Sequence, residues 1–155
     1  MPWIDLLAAD RVVLLVEPVS RDHVLDAAAR LLGGNSPTVT PAISAALRDR
    51  EAIGSTGIGR GVAIPHARGP MFHQPRGAFL RLVQPVDFGA NDGQPVDLVF
   101  AMCAPEDLPE LHLQHLAGIA ERFAEPDFLL TLRDAPDLAA LRTALFARPS
   151  LVPAA

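Results

Sequence analysis

Lysine is absent from the sequence, and all 13 basic residues are arginine. A Walker-type phosphate-binding loop requires a lysine after its glycines, so this class of nucleotide site is excluded. Cysteine is nearly absent as well, because Cys103 stands alone and can form no disulfide within the chain. This usage fits a reducing compartment, and we expect a cytoplasmic protein.

Long apolar segments are also missing. No stretch approaches the roughly 18 consecutive apolar residues of a membrane-spanning helix, so no membrane insertion is expected. The N-terminal sequence MPWIDLLAADR lacks the basic segment and the long apolar core of a signal peptide. The net charge of −5 argues against nucleic acid as the main partner.

The composition that remains is typical of one α/β domain. Half of the 155 residues are hydrophobic and 20% are charged, which provides enough apolar material for a sizeable core. Apolar runs rich in β-branched residues predict strands at 11–18, 77–86 and 95–104. Amphipathic periodicity predicts helices at 21–34, 40–51 and 111–123, with shorter helices starting at Asp127 and Asp137. We therefore predict an α/β fold in which residues 1–155 form a single domain.

Polar residues at the predicted helix starts are candidate caps. Ser20 is the expected N-cap of the first helix, which the glycines at 33–34 end. Thr40 is the expected cap of the second helix. Asp107 and Glu110 have the spacing of a capping box before the third.

The segment GSTGIGRGVAIPHARGP, residues 54–70, is the most informative part of the sequence. Its G-x-G-x-G spacing follows a predicted helix, unlike the dinucleotide-binding fingerprint, which follows a strand. The segment is either a plain turn or a place where backbone N–H groups approach a phosphate or a partner. Pro65 cannot donate to a sheet, so we expect the strand GVAI to stop there and leave His66 at a sheet end.

The charge around His66 adds a second indication. No acidic residue lies between Glu51 and Asp87, whereas four arginines do: Arg60, Arg68, Arg76 and Arg81. In a chain of net negative charge, this window predicts a site that receives an anion, unless the arginines are simply scattered over the surface.

The other histidines have competing interpretations. His112 and His115 share a face of the third helix, and His112 is in line with apolar residues of its core-facing side, so a structural role is the alternative to a catalytic one. His73 is expected to be exposed in a loop. A zinc site from His66, His112 and His115 lacks any metal-binding spacing, and we predict neither metal nor cofactor. No G-x-S-x-G elbow occurs, which argues against a serine hydrolase.

Three blocks of the sequence carry a family resemblance. REAIGSTGIGRGVAIPHARG resembles the phosphorylation-site segment of the IIA components of the bacterial phosphoenolpyruvate-dependent phosphotransferase system, in the fructose/mannitol/nitrogen-regulatory family. NDGQPVDLVFAMCAPED and HLQHLAGIAERF resemble later segments of that family in the same order, and the likeness runs from about Pro2 to Ala147. The resemblance implies a mixed β-sheet with helices on both sides.

The resemblance also implies a function. A phosphocarrier protein of the HPr type would donate a phosphoryl group to a ring nitrogen of His66. The second family histidine falls on His112, and the arginine of the family's RE pair falls on Arg50. At neutral pH an unperturbed imidazole is largely neutral and nucleophilic, as this chemistry requires.

Phosphoryl transfer also needs groups that stabilise charge on the transferred oxygens. We predict that the hydroxyls of Ser55 and Thr56, together with N–H groups exposed at Gly59 and Gly61, bind the phosphate. The sequence departs from the family pattern in two places. Arg60 stands where many relatives carry asparagine, and His115 stands where another residue is common.

The branch of the family is predicted from the same segment. GSTGIG is more similar to the nitrogen-regulatory branch than to the mannitol branch, and a chain of 155 residues leaves no room for a IIB or IIC domain. We therefore expect a free-standing IIA whose phosphorylation state controls regulatory protein targets. The alternatives are a IIA subunit that passes phosphate to a IIB protein in sugar uptake, and a binding module that takes no phosphate.

Overall fold

A mixed sheet of six strands lies at the centre of the protein. The computed structural model describes residues 2–18 and 20–147, so the last part of the predicted domain, 148–155, lies outside the described residues. The strands are β1 Val12–Leu15, β2 Gly57–Gly59, β3 Val62–Ala63, β4 His66–Arg68, β5 Arg76–Val86 and β6 Val96–Ala104. The predicted strands are confirmed, although β1 is shorter than expected because the chain bends at Val16.

Five α-helices follow the predicted order. They are α1 Arg21–Gly33, α2 Val39–Ile53, α3 Pro109–Arg122, α4 Pro126–Asp134 and α5 Leu138–Phe146. Two short 3₁₀ turns, Trp3–Leu6 and Ala9–Arg11, precede β1. None of the helices in the described part of the chain is long and apolar enough to cross a membrane.

The sheet has the order β1-β5-β6-β3-β2, and β4 also pairs with β6. Strands β5 and β6 are antiparallel, whereas β1 runs parallel to β5, and β3 and β4 run parallel to β6. The predicted mixed sheet is therefore confirmed.

Helices cover both faces because successive side chains of a strand point to opposite sides of the sheet. On β6, Leu98, Phe100 and Met102 belong to the core shared with α3, α4 and α5. The intervening Val99, Ala101 and Cys103 belong to the core shared with α1 and α2. All six are at most 2% exposed, so β6 is buried on both sides.

Three of the predicted helix ends are confirmed. Ser20 Oγ accepts the backbone N–H of His23, and Gly34 ends α1 in the left-handed conformation, with φ of 61°. Asp137, predicted to start the last helix, caps α5 by accepting the N–H of Ala140 at 2.8 Å.

The other predicted starts are wrong. Thr40 lies inside α2, because Ser36 Oγ accepts the N–H groups of Thr38 and Val39 and the helix begins at Val39, two residues earlier than the sequence suggested. Helix α3 begins at Pro109 without a side-chain cap, so the Asp107–Glu110 capping box does not form. Helix α4 begins at Pro126, since a proline needs no N–H partner at the first turn.

Candidate functional site

A cleft of about 720 Å³ opens between the C-terminal half of α2, strand β4 and the first turns of α3. It brings together the three residues predicted to take part in catalysis: Arg50, His66 and His112. Three further charged residues line it, Asp49 from α2, Arg68 from β4 and Glu106 from the loop before α3.

His66 begins a strand of its own, β4, whereas the sequence predicted that strand pairing stops at Pro65 and leaves His66 at a sheet end. Strand β3 stops at Ala63, but the carbonyl of Pro65 accepts the N–H of Met102 at 2.9 Å, and His66 then pairs with Met102 as the first residue of β4. Proline lacks only the donor of its peptide group, so it interrupts the ladder without releasing the chain from β6. The half-buried His66 is thus held by backbone pairing on both sides of Pro65.

The imidazole of His66 has one nitrogen already engaged. Its Nδ1 lies 2.8 Å from the carbonyl oxygen of Ile64. A carbonyl oxygen can only accept, so Nδ1 carries the proton of the neutral ring and Nε2 keeps its lone pair. Burial lowers the pKa of His66 and the charge of Arg50 lowers it further, against the opposing effect of the Ile64 carbonyl. The ring is therefore neutral and nucleophilic at neutral pH.

His112 lies directly beside this ring. The two ring centroids are 5.4 Å apart, with an angle of 53° between the planes. The side chain is only 5% exposed, and its Nδ1 is buried with no hydrogen-bond partner among the described residues. Burial lowers the pKa of His112 to about 4, and the neighbouring His66 and Arg68 contribute to the shift. Two neutral imidazoles thus share one cleft.

Acid should destabilise the protein through His112. Because its pKa is about 4 when folded and about 6.5 when unfolded, only the unfolded state gains this proton as the pH falls below about 6.5. The lost stability should reach about 2 kcal/mol at about pH 5. Urea unfolding of the wild type and of His112→Gln measures it. The free-energy gap between the two should be constant above about pH 7.5 and shift in favour of the variant below about pH 6.5. A gap independent of pH would contradict the assignment.

Arg50 and Arg68 supply the positive charge of the cleft. The Arg50 guanidinium donates to the carbonyl of Gly54 at 2.8 Å, which closes the C-terminal end of α2, and it still lines the cleft with His66. Arg68 follows His66 by two residues on β4, a spacing that places both on one face of the strand. Asp49 and Glu106 partly balance these charges.

The four arginines of the predicted window do not converge on His66, since only Arg68 lines the cleft. The other three donate to carbonyl groups of distant elements: Arg60 to Ala124, Arg76 to Leu32, and Arg81 to Leu132 and Ala135. The four arginine side chains point in different directions because they lie at different positions along strands and turns.

The structure does not bring Ser55 and Thr56 into the cleft. The hydroxyl of Ser55 donates to the carbonyl of Phe88 at 2.6 Å. Thr56 is buried, and both its N–H and its hydroxyl donate to the carboxylate of Glu51, at 2.6 and 2.7 Å. Glu51, only 3% exposed, is a structural residue that sequence reasoning missed. The sequence feature that could have pointed to Glu51 was its position directly after Arg50 in the RE pair.

Gly59 at the end of β2 and Gly61 in the turn before β3 also lie away from the cleft, with φ of 92° and 78°. A Cβ on Gly61 would come within 2.5 Å of the Arg133 guanidinium and 2.9 Å of Asp97. The geometry favours the interpretation of this segment as a turn. Arg60 between them has φ of 59°, a conformation that asparagine adopts more readily than arginine.

Exposed apolar side chains flank the cleft on two walls, a feature that sequence reasoning missed. Ile53 on α2 is 84% exposed and Leu113 on α3 is 64% exposed. The sequence could have indicated the α2 wall, because helical periodicity places Ala46, Asp49, Arg50 and Ile53 on one face of that helix. Within the described residues, no group of three or more His, Cys, Asp or Glu side chains is placed to hold a metal ion.

Comparisons with known proteins agree with this geometry. The chain is 38% identical over 154 residues to a nitrogen regulatory protein of Bradyrhizobium diazoefficiens, covering 97% of this chain and 98% of that protein. It is 40% identical over 137 residues to one of Pseudomonas aeruginosa, covering 88% and 89%. The crystal structure of nitrogen regulatory protein IIA-Ntr from Neisseria meningitidis superposes with a TM-score of 0.83 at 34% identity, covering 92% of this chain and 97% of that one.

The sugar-specific side of the family shares the fold. IIA mannitol from Escherichia coli gives a TM-score of 0.75 at 18% identity, covering 90% of this chain and 98% of that one. A family model described as "Phosphoenolpyruvate-dependent sugar phosphotransferase system, EIIA 2" matches residues 5–147. The resemblance stated from the sequence is confirmed, and the chain belongs to the EIIA 2 family of the phosphoenolpyruvate-dependent sugar phosphotransferase system.

Proposed function

We propose that the chain is a phosphohistidine carrier that accepts its phosphoryl group on Nε2 of His66 and signals through its phosphorylation state. The observation that carries this proposal is the 2.8 Å contact between Nδ1 of His66 and the carbonyl of Ile64. This contact fixes the tautomer and leaves the second ring nitrogen as the nucleophile.

The transfer step is a simple exchange of P–N bonds. The Nε2 lone pair of His66 forms a bond to phosphorus while the P–N bond of the donor's phosphohistidine breaks, and that electron pair returns to the donor ring. The Nδ1 proton remains on His66 and keeps its bond to Ile64. Arg50 and Arg68 in the same cleft offset the negative charge of the phosphoryl oxygens, which is the main demand of this chemistry.

The donor in this proposal is an HPr-like phosphocarrier protein. A half-buried histidine between two walls is reached by a protein that presents its own histidine on a convex surface. The exposed side chains of Ile53 and Leu113 offer such a partner apolar contacts on either side of the cleft. The same surface serves the proteins that read the phosphorylation state.

The nitrogen-regulatory branch is favoured by the relatives that span nearly the whole chain, since they are named nitrogen regulatory proteins. The second candidate is a IIA that feeds a IIB protein in sugar uptake. It is supported by 34% identity over 117 residues to a fructose-specific EIIABC component of Bacillus subtilis, of which the match covers 18%. The paired histidines of the cleft argue against a module that takes no phosphate.

Incubation with phosphoenolpyruvate, enzyme I and a panel of HPr-like carriers, followed by intact mass measurement, tests the proposal. One added phosphoryl group that is lost in acid is the expected result. Subsequent transfer to fructose- or mannitol-type IIB proteins at the rate of donor uptake would favour the sugar-uptake alternative. No uptake from any carrier would leave only the binding module.

Replacement of Arg50 by lysine should slow phosphorylation about tenfold, although the charge is kept. A guanidinium offers two parallel N–H groups to phosphoryl oxygens, and an ammonium cannot reproduce that geometry. Quench-flow measurement of phosphoryl uptake from the carrier is the assay. The matched control is Arg48→Lys on the same helix, where the arginine pairs with Asp26. Equal rates in both variants would mean that Arg50 only closes the end of α2.

A further inference from the structure

A second cavity, of about 320 Å³, lies at the other end of α2 from the cleft that holds His66. It is enclosed by the end of α1, the first turns of α2, the loop between β4 and β5, and the last residues of β6. Its inner surface is apolar and includes Leu32, Ile43, Phe72 and Cys103, each at most 8% exposed. A volume of this size suits a small organic molecule.

The polar groups of this cavity are cationic or neutral. Arg76, His73 and Gln74 line it, and no acidic side chain of the described residues does. The Arg76 guanidinium donates one hydrogen bond, to the carbonyl of Leu32 at 3.0 Å, and forms no other side-chain hydrogen bond within the described residues. The rest of its donor edge is therefore available to a ligand.

Among the described residues, Arg76 also has no carboxylate as an ion-pair partner. Arg11 lies near it, and burial and the charge of Arg76 lower the pKa of Arg11. Neither guanidinium forms an ion pair with a carboxylate of the described residues. The ion pairs found among those residues are made by other arginines. The Arg76 charge at the wall of a partly apolar cavity, with the like charge of Arg11 behind it, favours an anion in the cavity.

The start of α2 does not compete for this anion. Ser36 already accepts the N–H groups of Thr38 and Val39, and its carbonyl accepts that of Thr40. The anionic group of a ligand is therefore assigned to Arg76 and not to the end of the helix.

We propose that this cavity binds a small carboxylate with an apolar body, the carboxylate on Arg76 and the body against Leu32, Ile43 and Phe72. One guanidinium edge matches the two oxygens of a carboxylate. The apolar floor excludes strongly hydrated anions, because their burial would cost more than one arginine restores.

Titration of the full chain, followed by backbone amide NMR, tests this site. Phenylacetate and hexanoate are the probes, and the neutral phenylacetamide and hexanamide are their controls. We expect saturable shifts at Gly33, Val39, Phe72 and Cys103 with the carboxylates, and binding at least about tenfold weaker for the amides. Shifts that do not saturate, or equal binding of acid and amide, would overturn the proposal.

Variants separate the charge from the cavity. Arg76→Gln should weaken phenylacetate binding about tenfold or more, whereas Arg30→Gln, at an exposed position of α1, should not change it. Val39→Phe should also weaken binding, because it fills the cavity while leaving Arg76 in place. Unchanged affinity in both Arg76→Gln and Val39→Phe, or tighter binding of phenyl phosphate than of phenylacetate, would show the assignment to be wrong.

Discussion

Replacement of His66 by glutamine should abolish phosphoryl uptake from any carrier that labels the wild type. Glutamine preserves much of the volume and can still donate to the carbonyl of Ile64, so the fold should remain intact. Its amide has no nucleophilic lone pair of the imidazole kind, and no bond to phosphorus can form. Intact mass after exposure to the phosphorylated carrier should show no added group, while the circular dichroism spectrum matches the wild type.

His73→Gln is the matched control for this experiment. His73 is exposed in the loop before β5 and lines the second cavity, not the cleft that holds His66. The variant should be labelled like the wild type. Labelling of His66→Gln at the wild-type level would overturn the assignment and would make His73, His112 or His115 the candidate phosphoacceptor.

The fold followed from the sequence where burial patterns were regular. The apolar run at 95–104 predicted a strand, and the structure shows that β6 alternates between two cores. Helix α1 carries both its cap and its terminating glycine in the sequence. The starts of α2 and α3 did not follow, because the choice among Ser36, Thr38 and Thr40 depends on the path by which the chain enters the helix.

The cleft was predictable only in part. The resemblance to the family placed His66, His112 and Arg50, and the structure brings all three together. Ser55 and Thr56 failed as cleft residues because their partners, Phe88 and the buried carboxylate of Glu51, are fixed by tertiary packing. No local pattern shows which acceptor a hydroxyl will find.

The sheet explains why the tautomer of His66 could not be predicted. A sequence in which Pro65 precedes His66 suggests a chain that leaves the sheet. The carbonyl of Pro65 instead bonds to β6, and this pairing holds the ring against the carbonyl of Ile64. Two backbone carbonyls, which no residue pattern reveals, decide which ring nitrogen of His66 carries the proton and which keeps its lone pair.

His112 should act on the phosphoryl group without carrying it. Its ring contacts that of His66, and its low pKa keeps it neutral before transfer. A phosphoryl group on His66 brings two negative charges beside this ring, which favours the protonated form and hence a second N–H donor. The buried Nδ1 without a hydrogen-bond partner leaves the ring free of competing bonds at that atom.

His112→Gln should therefore slow phosphoryl uptake about 100-fold or more, the usual cost of losing a donor aimed at developing charge. Stopped-flow transfer from the carrier measures the rate, and the melting temperature reports packing separately. His115→Gln, equally buried on the same helix but outside the residues that line the cleft, is the control and should stay close to the wild-type rate. The two variants should lose similar stability, because each replaces a buried ring. An unchanged transfer rate in His112→Gln with a lowered melting temperature would make His112 a core residue of α3, and the charge on the phosphoryl group would then be met by Arg50 and Arg68 alone.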